Sequence, residues 1–406
     1  MALSQIESRL SGEIASRADA LLEDLTLHVG LPTGGYNRAA LDETRERFCE
    51  RLSELGAVTE IVQPDDKPDW LAGGGAGAHQ PPTAVCRRVA DAAPGRVLIA
   101  GHLDTVHDPM GDFRELSIAP GGKTATGPGC VDMKGGLVIA MAALEALEAC
   151  GVPASWSFLM NSDEETGTYH SERAIRDESR RHDWGLALEP ALPGGELAVD
   201  RMGSGQFMIE TRGRAAHVGR AFADGVSAVT KLAEVLVEVA TLPDPANGRI
   251  VSVGPIEGGA ATNAVPDRAA AWGNVRFTTP DVGDAIGREL DAMATDVDAM
   301  PGVVVRRSFN RPAKPLIPAT EALALKAREV AEDLGQRLPF AKTGGVCDGN
   351  IMQDAGLPTI DTLGVRGGGL HTPDEWIELD SLVERCQLLA ILIARLSAGG
   401  SGDQPV

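Results

Sequence analysis

Three short apolar runs each end in residues suited to chemistry, and this pattern narrows the possible folds more than any other feature. "APGRVLIAG" (93–101) leads into "HLDTVHD", "SWSFLMN" (155–161) leads into "SDEETGT", and "DWGLALEP" (183–190) ends beside Glu189. A short apolar run bounded by turn residues predicts a buried strand. Between the first two lies "DMKGGLVIAMAALEALEAC" (132–150), which predicts a buried helix stopping at Gly151 and Pro153. Strands alternating with helices predict an α/β fold around a mostly parallel sheet. In such sheets function gathers beyond the carboxyl ends of the strands. His102, Glu164, Glu165 and Glu189 all fall there.

The texture changes over residues 203–312. "GQFMIETRG", "AAAWGNVRF" and "VVVRRSF" read as strands exposed on one face, with helices at about 222–241 and 281–300 between them. Two helices on an antiparallel sheet make a small α+β unit. After "NRPAKPLIP" the α/β texture returns, with a helix over 319–335, the loop "KTGGVCDGN", a strand "LPTIDTLG", the loop "GGGLHTPDEW" and a last helix to about 396. The smaller domain is therefore read as inserted into a larger one built from residues 1–202 and 313–398. Helical spacing over 4–27 and 38–55, joined by the turn "LPTGGYN", opens the chain, and a polar, glycine-rich tail read as disordered (399–406) closes it.

A chain of 406 residues exceeds one ordinary core, in keeping with two domains. Its net charge of −21 disfavours nucleic acid and anionic membrane as partners. The N-terminus carries charges throughout and lacks the apolar core of a signal peptide. No run of 18 apolar residues is present. Six scattered cysteines with no C-x-x-C read as reduced thiols, and the expected compartment is the cytoplasm.

The triplet Asp163–Glu164–Glu165 raises an electrostatic question. Two carboxylates about 4 Å apart repel by roughly 4 kcal/mol at an effective dielectric near 20. Cations would turn that repulsion into attraction. The candidate ligands are His102, Asp132, Glu165, Glu189 and His371, each at a strand end or in a loop. Two imidazoles and three carboxylates suit zinc, with cobalt or manganese as other fits. One carboxylate bridging two ions would hold them about 3.5–4 Å apart. Glu165 can then bind metal while Glu164 stays free to move a proton.

"GHLDTV" (101–106), "GPGCVDMKGG" (127–136), "DEETG" (163–167), "ALEP" (187–190) and "GGLHTPDEW" (368–376) together resemble the successive motifs of the co-catalytic di-zinc aminoacylase/carboxypeptidase family. That family includes acetylornithine deacetylase, succinyl-diaminopimelate desuccinylase and glutamate carboxypeptidase, and the texture is most similar to the last. "RGRAAHVG" and "GGAATNAVP" resemble its dimerisation-domain motifs. The resemblance implies an α/β zinc-peptidase domain carrying an inserted lid and dimerisation domain, hence a homodimer. It implies Asp132 as the bridge between two divalent metal ions, His102 and Glu189 completing one site, and Glu165 and His371 the other. Asp104 would orient His102, and Glu164 would be the general base. His217 would donate to the oxyanion, from its own chain or its partner's. Asn263, Arg276, Arg311 and the Gly344–Gly345 turn would contact substrate, the arginines through its carboxylate. The "VCDGN" after Gly345 departs from the family pattern, and Asp348 and Asn350 receive no role.

Other residues take plainer readings. His107, Asp108 and Asp163 are loop residues or supports for the ligands; His28, His79, His170 and His182 are solvated or structural. The run 173–181 is a solvated helix face. "GPGCVDMKGG" follows no strand directly and is not a dinucleotide loop. The expected function is hydrolysis of an amide or peptide bond next to a C-terminal amino acid, in a small N-acyl amino acid or short peptide. The alternatives are an N-acyl-amino-acid deacylase and a metal-dependent binding protein without turnover.

Overall fold

The computed structural model describes residues 2–35, 37–71 and 81–399. Tyr36, His79 and the tail beyond Gly399 lie outside the described residues.

The central sheet has six strands, in the order Val58–Val62, Thr83–Arg88, Ser155–Asn161, Arg96–His102, Trp184–Ala187 and Thr359–Ile360. The last four run parallel; the first two pair antiparallel at one edge. Ser155–Asn161 is buried along its whole length, as expected of a strand covered on both faces. Successive side chains of Arg96–His102 enter opposite cores. Val97 and Ile99 join the larger, with the helices Gly135–Ala149 and Asp380–Ala398. Leu98 and Ala100 join the smaller, with Ile175, Ile351 and Met352.

The predicted N-terminal helix is two helices, Gln5–Ser16 and Ala18–Val29. Arg17 leaves helical geometry between them, and its guanidinium reaches Glu13 and Glu145. The helix expected from residue 132 starts at Gly135, for a reason that lies in the site described below. The expected solvated face at 173–181 is only partly so. In Glu172–Ser179, Glu178 is buried and takes both Nε and Nη2 of Arg87.

Gly203–Arg311 builds a second sheet, antiparallel, in the order Arg249–Gly258, Arg268–Phe277, Gly203–Arg212, Gly302–Arg311. Helices Ala228–Val239 and Pro280–Asp291 cover one face, around a separate core that includes Phe207, Ile209, Leu232, Ile286 and Phe277. Both helices are shorter than the apolar spacing suggests: the first starts late, where Ser227 caps it, and the second starts where expected, capped by Thr279, but ends at Asp291. The opposite face carries Ser204, Gln206, Asn274 and Arg276 into a cleft shared with the first sheet.

The chain crosses between the two parts at two places, and the crossings pair with each other. Arg201 and Lys314 exchange backbone hydrogen bonds of 2.9 and 3.0 Å. Both side chains end on the buried Asp361, Arg201 at 2.7 Å and Lys314 at 3.1 Å. Asn350 donates from Nδ2 to the carbonyls of Met202 (2.9 Å) and Pro312 (2.8 Å), fastening both crossings. This is where the unassigned Asn350 finds its place.

Candidate metal centre

Three parallel neighbours bring the first ligands together. His102 ends the strand Arg96–His102, Glu164 and Glu165 follow Ser155–Asn161, and Glu189 follows Trp184–Ala187. Asp132 comes from the tight turn Cys130–Lys134, where Asp132 and Met133 have non-helical dihedrals. The cause is Glu375, fully buried, whose carboxylate accepts the N–H groups of Gly129 (2.8 Å), Val131 (2.9 Å) and Asp132 (3.0 Å). His107 braces Glu375 at 2.6 Å. His371 arrives on the loop after Gly367–Gly368, held at a positive φ of 63°, the kind of strained backbone found where function requires it.

Asp132 turns one oxygen to each imidazole. Its Oδ1 lies 3.2 Å from His102 Nε2, and its Oδ2 lies 3.4 Å from His371 Nε2. His371 Nε2 is also 3.3 Å from Glu165 Oε2. Two ligand atoms on one tetrahedral cation with bonds near 2 Å sit about 3.3 Å apart, so these separations suit coordination. Ligand atoms of His102, Asp132 and Glu165 all lie within 4.8 Å of one another. Glu165 Oε1 is buried without any hydrogen-bond donor, and a cation would satisfy it. The donor set and the orphaned oxygen fit a metal site.

The electrostatics agree. Burial disfavours a charged His102, but hydrogen bonds to Asp104 and Asp132 prevail and hold it well above its ordinary value. Contacts with Asp132 and Glu165 push His371 up to about 10. Burial pushes Asp132 up, but the two imidazoles more than reverse this and leave it lowered. Burial raises Glu165, and burial with the nearby Glu164 holds Glu189 well above the carboxylate range. Without cations the cluster holds protons, and metal binding must release them.

Asp104 meets His102 through its backbone as well as its side chain. The His102 Nδ1–H donates to the Asp104 backbone carbonyl (2.9 Å), which leaves Nε2 free for metal. The Asp104 carboxylate, 3.5 Å from Nδ1, also accepts the N–H groups of Glu164 (3.3 Å) and Glu165 (3.0 Å). Asp163 fits its reading as a support. It is buried, accepts from Ser171 and the His170 N–H, and is raised by burial to about 6.

The substrate-facing residues divide. A cleft of about 590 Å³ is lined by Glu164, Glu165, His371, Arg276, Arg311 and Gly345, among others. Arg276 has only Asn274 Oδ1, at 3.2 Å from its Nε, as a hydrogen-bond acceptor among the described residues. Arg311, expected to hold a substrate carboxylate, is already engaged. Its Nη1 donates to Glu164 Oε1 at 2.7 Å, its Nη2 to the Glu164 carbonyl at 2.9 Å, and it is buried. Asp348 lies 4.0 Å from Arg311 and accepts from Asn161 and Thr168. Gly344 sits beside Met202 and does not line the cleft. His217 and Asn263 are neighbours on the exposed ribbon Ala216–His217/Ala264–Val265, and neither lines the cleft of its own chain.

Sequence reasoning missed Glu375 and the engagement of Arg311. The signal for Glu375 was an acidic residue inside an otherwise assigned motif; Arg311 gave none.

The sequence profile of Peptidase family M20/M25/M40 matches residues 98–395, which contain every ligand above. The chain belongs to this family. Among curated relatives, carboxypeptidase G2 of Pseudomonas sp. (strain RS-16) is 28% identical over 311 residues, covering 75% of this chain and 74% of that protein. Succinyl-diaminopimelate desuccinylase of Methylorubrum populi is 30% identical over 325 residues, covering 73% and 80%. The solved tripeptidase of Staphylococcus aureus superposes with a TM-score of 0.73 at 21% identity, over 93% of this chain and 99% of that one. Family membership makes the chain a metal-dependent hydrolase of the carboxypeptidase or deacylase type.

Proposed function

We propose that this chain is a di-zinc amidohydrolase that cleaves the amide bond next to a C-terminal amino acid. The observation that carries the reading is Asp132, whose two carboxylate oxygens face two different histidines. His102 and Glu189 would complete one metal position, and Glu165 and His371 the other. Two divalent cations held there would polarise the scissile carbonyl and acidify the attacking water. Glu164 takes the proton from that water and returns it to the leaving amine. Arg311 holds the Glu164 carboxylate in position, a role its buried contact favours over substrate binding. Arg276 and the backbone at Gly345 receive the substrate carboxylate.

The oxyanion donor comes from a second copy. His217 and Asn263 are exposed, adjacent to each other and off their own chain's cleft, which favours a homodimer in which each lends them to the other. Six free cysteines suit the cytoplasm. Among the described residues no helix is long and apolar enough to cross a membrane. A second reading, N-deacylation, is favoured by the desuccinylase relatives.

Metal analysis with kinetics tests the proposal. Glu164→Gln retains two zinc equivalents per chain and loses about 10²–10⁴-fold in kcat. A single equivalent in the wild type, or near-normal turnover in the variant, refutes the mechanism. A panel of C-terminally varied dipeptides and N-acyl amino acids separates the two readings.

A further inference from the structure

The stretch "VCDGN" (346–350) carries two buried polar side chains, Asp348 and Asn350, and they hold Arg311 from opposite ends. Asn350 holds the backbone end. Its Oδ1 accepts the Cys347 N–H at 3.0 Å, at the start of the helix Asp348–Asp354. Its Nδ2 donates to the carbonyl of Pro312, the residue after Arg311. Asp348 faces the other end, the guanidinium. Its Oδ1 lies 4.0 Å from Arg311 Nη2, and the Thr168 hydroxyl bridges the two. That hydroxyl accepts from Arg311 Nη2 and donates to Asp348 Oδ1 at 3.0 Å. A hydroxyl has one proton to give, so its direction is settled. Asp348 Oδ2 accepts from Asn161 Nδ2 at 2.6 Å.

Thr168 is fully buried at a φ of 59°. A β-branched residue at positive φ is a backbone outlier, kept only where its surroundings hold it. It lies four residues after Glu164 in the same loop, so Arg311 grips that loop at both points. Arg311 itself ends the strand Gly302–Arg311 of the second sheet, whereas Asp348, Thr168 and Glu164 belong to the first lobe. Burial disfavours the charged guanidinium, and the carboxylates of Glu164 and Asp348 more than reverse this. Burial raises the Asp348 carboxyl to about 6 against the pull of Arg311, so at pH 8 it is ionised.

We infer that Asp348 is a positioning residue for the general base: through the Thr168 hydroxyl and Arg311 it sets where the Glu164 carboxylate lies. The inference rests on the hydrolase reading above and goes beyond it, giving a task to the stretch that departs from the family pattern. A guanidinium is a rigid planar fork. With Nη2 anchored on the Thr168–Asp348 side, Nη1 has a fixed aim on Glu164 Oε1. Misplacing a reacting group by about 1 Å costs on the order of 100-fold in rate.

The test is a double-mutant cycle on the zinc-loaded enzyme at pH 8, with the best substrate from the panel of dipeptides and N-acyl amino acids. Asp348→Asn keeps the shape and an acceptor for Asn161 but drops the charge. Its kcat falls about 10–100-fold while KM moves by less than about twofold, with zinc content unaltered. In an Arg311→Met background, where the link is already cut, Asp348→Asn costs less than about twofold more. Equal losses in the two backgrounds overturn the inference, because a merely structural Asp348 acts independently of Arg311. Unaltered kcat in Asp348→Asn overturns it too. Thr168→Val lowers kcat in the same way and Thr168→Ser recovers most of it, which carries the test if Asp348→Asn does not fold; a Thr168→Val enzyme with wild-type kcat overturns the inference. If Glu164→Gln turns over normally, the base reading fails by itself. Crystal structures of wild type and Asp348→Asn then judge the link separately: Arg311 displaced from Glu164 in the variant supports it, and an unmoved contact overturns it.

Discussion

Glu375 shows how much of the centre rests on a side chain that touches no ligand atom. Its carboxylate gathers three N–H groups around Asp132 and sets where that carboxylate points. Glu375→Gln keeps the shape but replaces an acceptor oxygen with an NH₂ group that cannot take those bonds. Zinc affinity should fall about 10–100-fold, as for other supports of metal ligands, measured by competition with a chromophoric chelator; unchanged affinity would remove Glu375 from the site. That His102, Asp132, Glu165 and His371 would converge was legible in the sequence, because few side-chain types suit a metal and these four lie in recognisable motifs. Glu375 was passed over although it lies in the same motif as His371, because the backbone N–H groups it gathers leave no side-chain signature of their own. Arg311 was misread for a related reason: a guanidinium suits a substrate carboxylate and a protein carboxylate equally, and only the fold shows Glu164 at 2.7 Å.

At the scale of elements, the apolar runs located the buried parallel strands well, since burial on both faces leaves a continuous signal. They located helix starts poorly, because the start at Gly135 is set by a carboxylate 240 residues further along the chain. The helix Ala18–Val29 adds a pH dependence of its own. His28, near its end, is buried and stacked on Phe48 with ring centres 4.5 Å apart. Burial lowers its pKa from 6.5 to about 4. Between those values the unfolded chain binds a proton that the folded chain refuses, so stability is intact above pH 6.5 and declines as the pH falls toward 4. The loss approaches roughly 3 kcal/mol. Urea unfolding of the metal-free protein across this range should show a shallower decline in His28→Phe than in the wild type. Parallel curves would mean that His28 is already charged in the fold.

The whole molecule poses a question that one chain does not answer, since His217 and Asn263 lie off the cleft they are proposed to serve. Nothing in a single sequence distinguishes a residue that acts on its own chain from one that acts on a neighbour. Mixing decides it. Glu164→Ala and His217→Ala are each expected to be nearly inactive. Co-refolded, they should recover activity, because one site of each mixed dimer then has an intact base and an intact donor. No recovery, with mixed dimers demonstrated by mass, would keep His217 with its own chain. The inserted unit has its own core, and its chain enters and leaves through the paired Arg201 and Lys314. Topologically that neck makes the second sheet a cassette: a different module spliced onto the same two adjoining ends would leave the first lobe's threading unaltered.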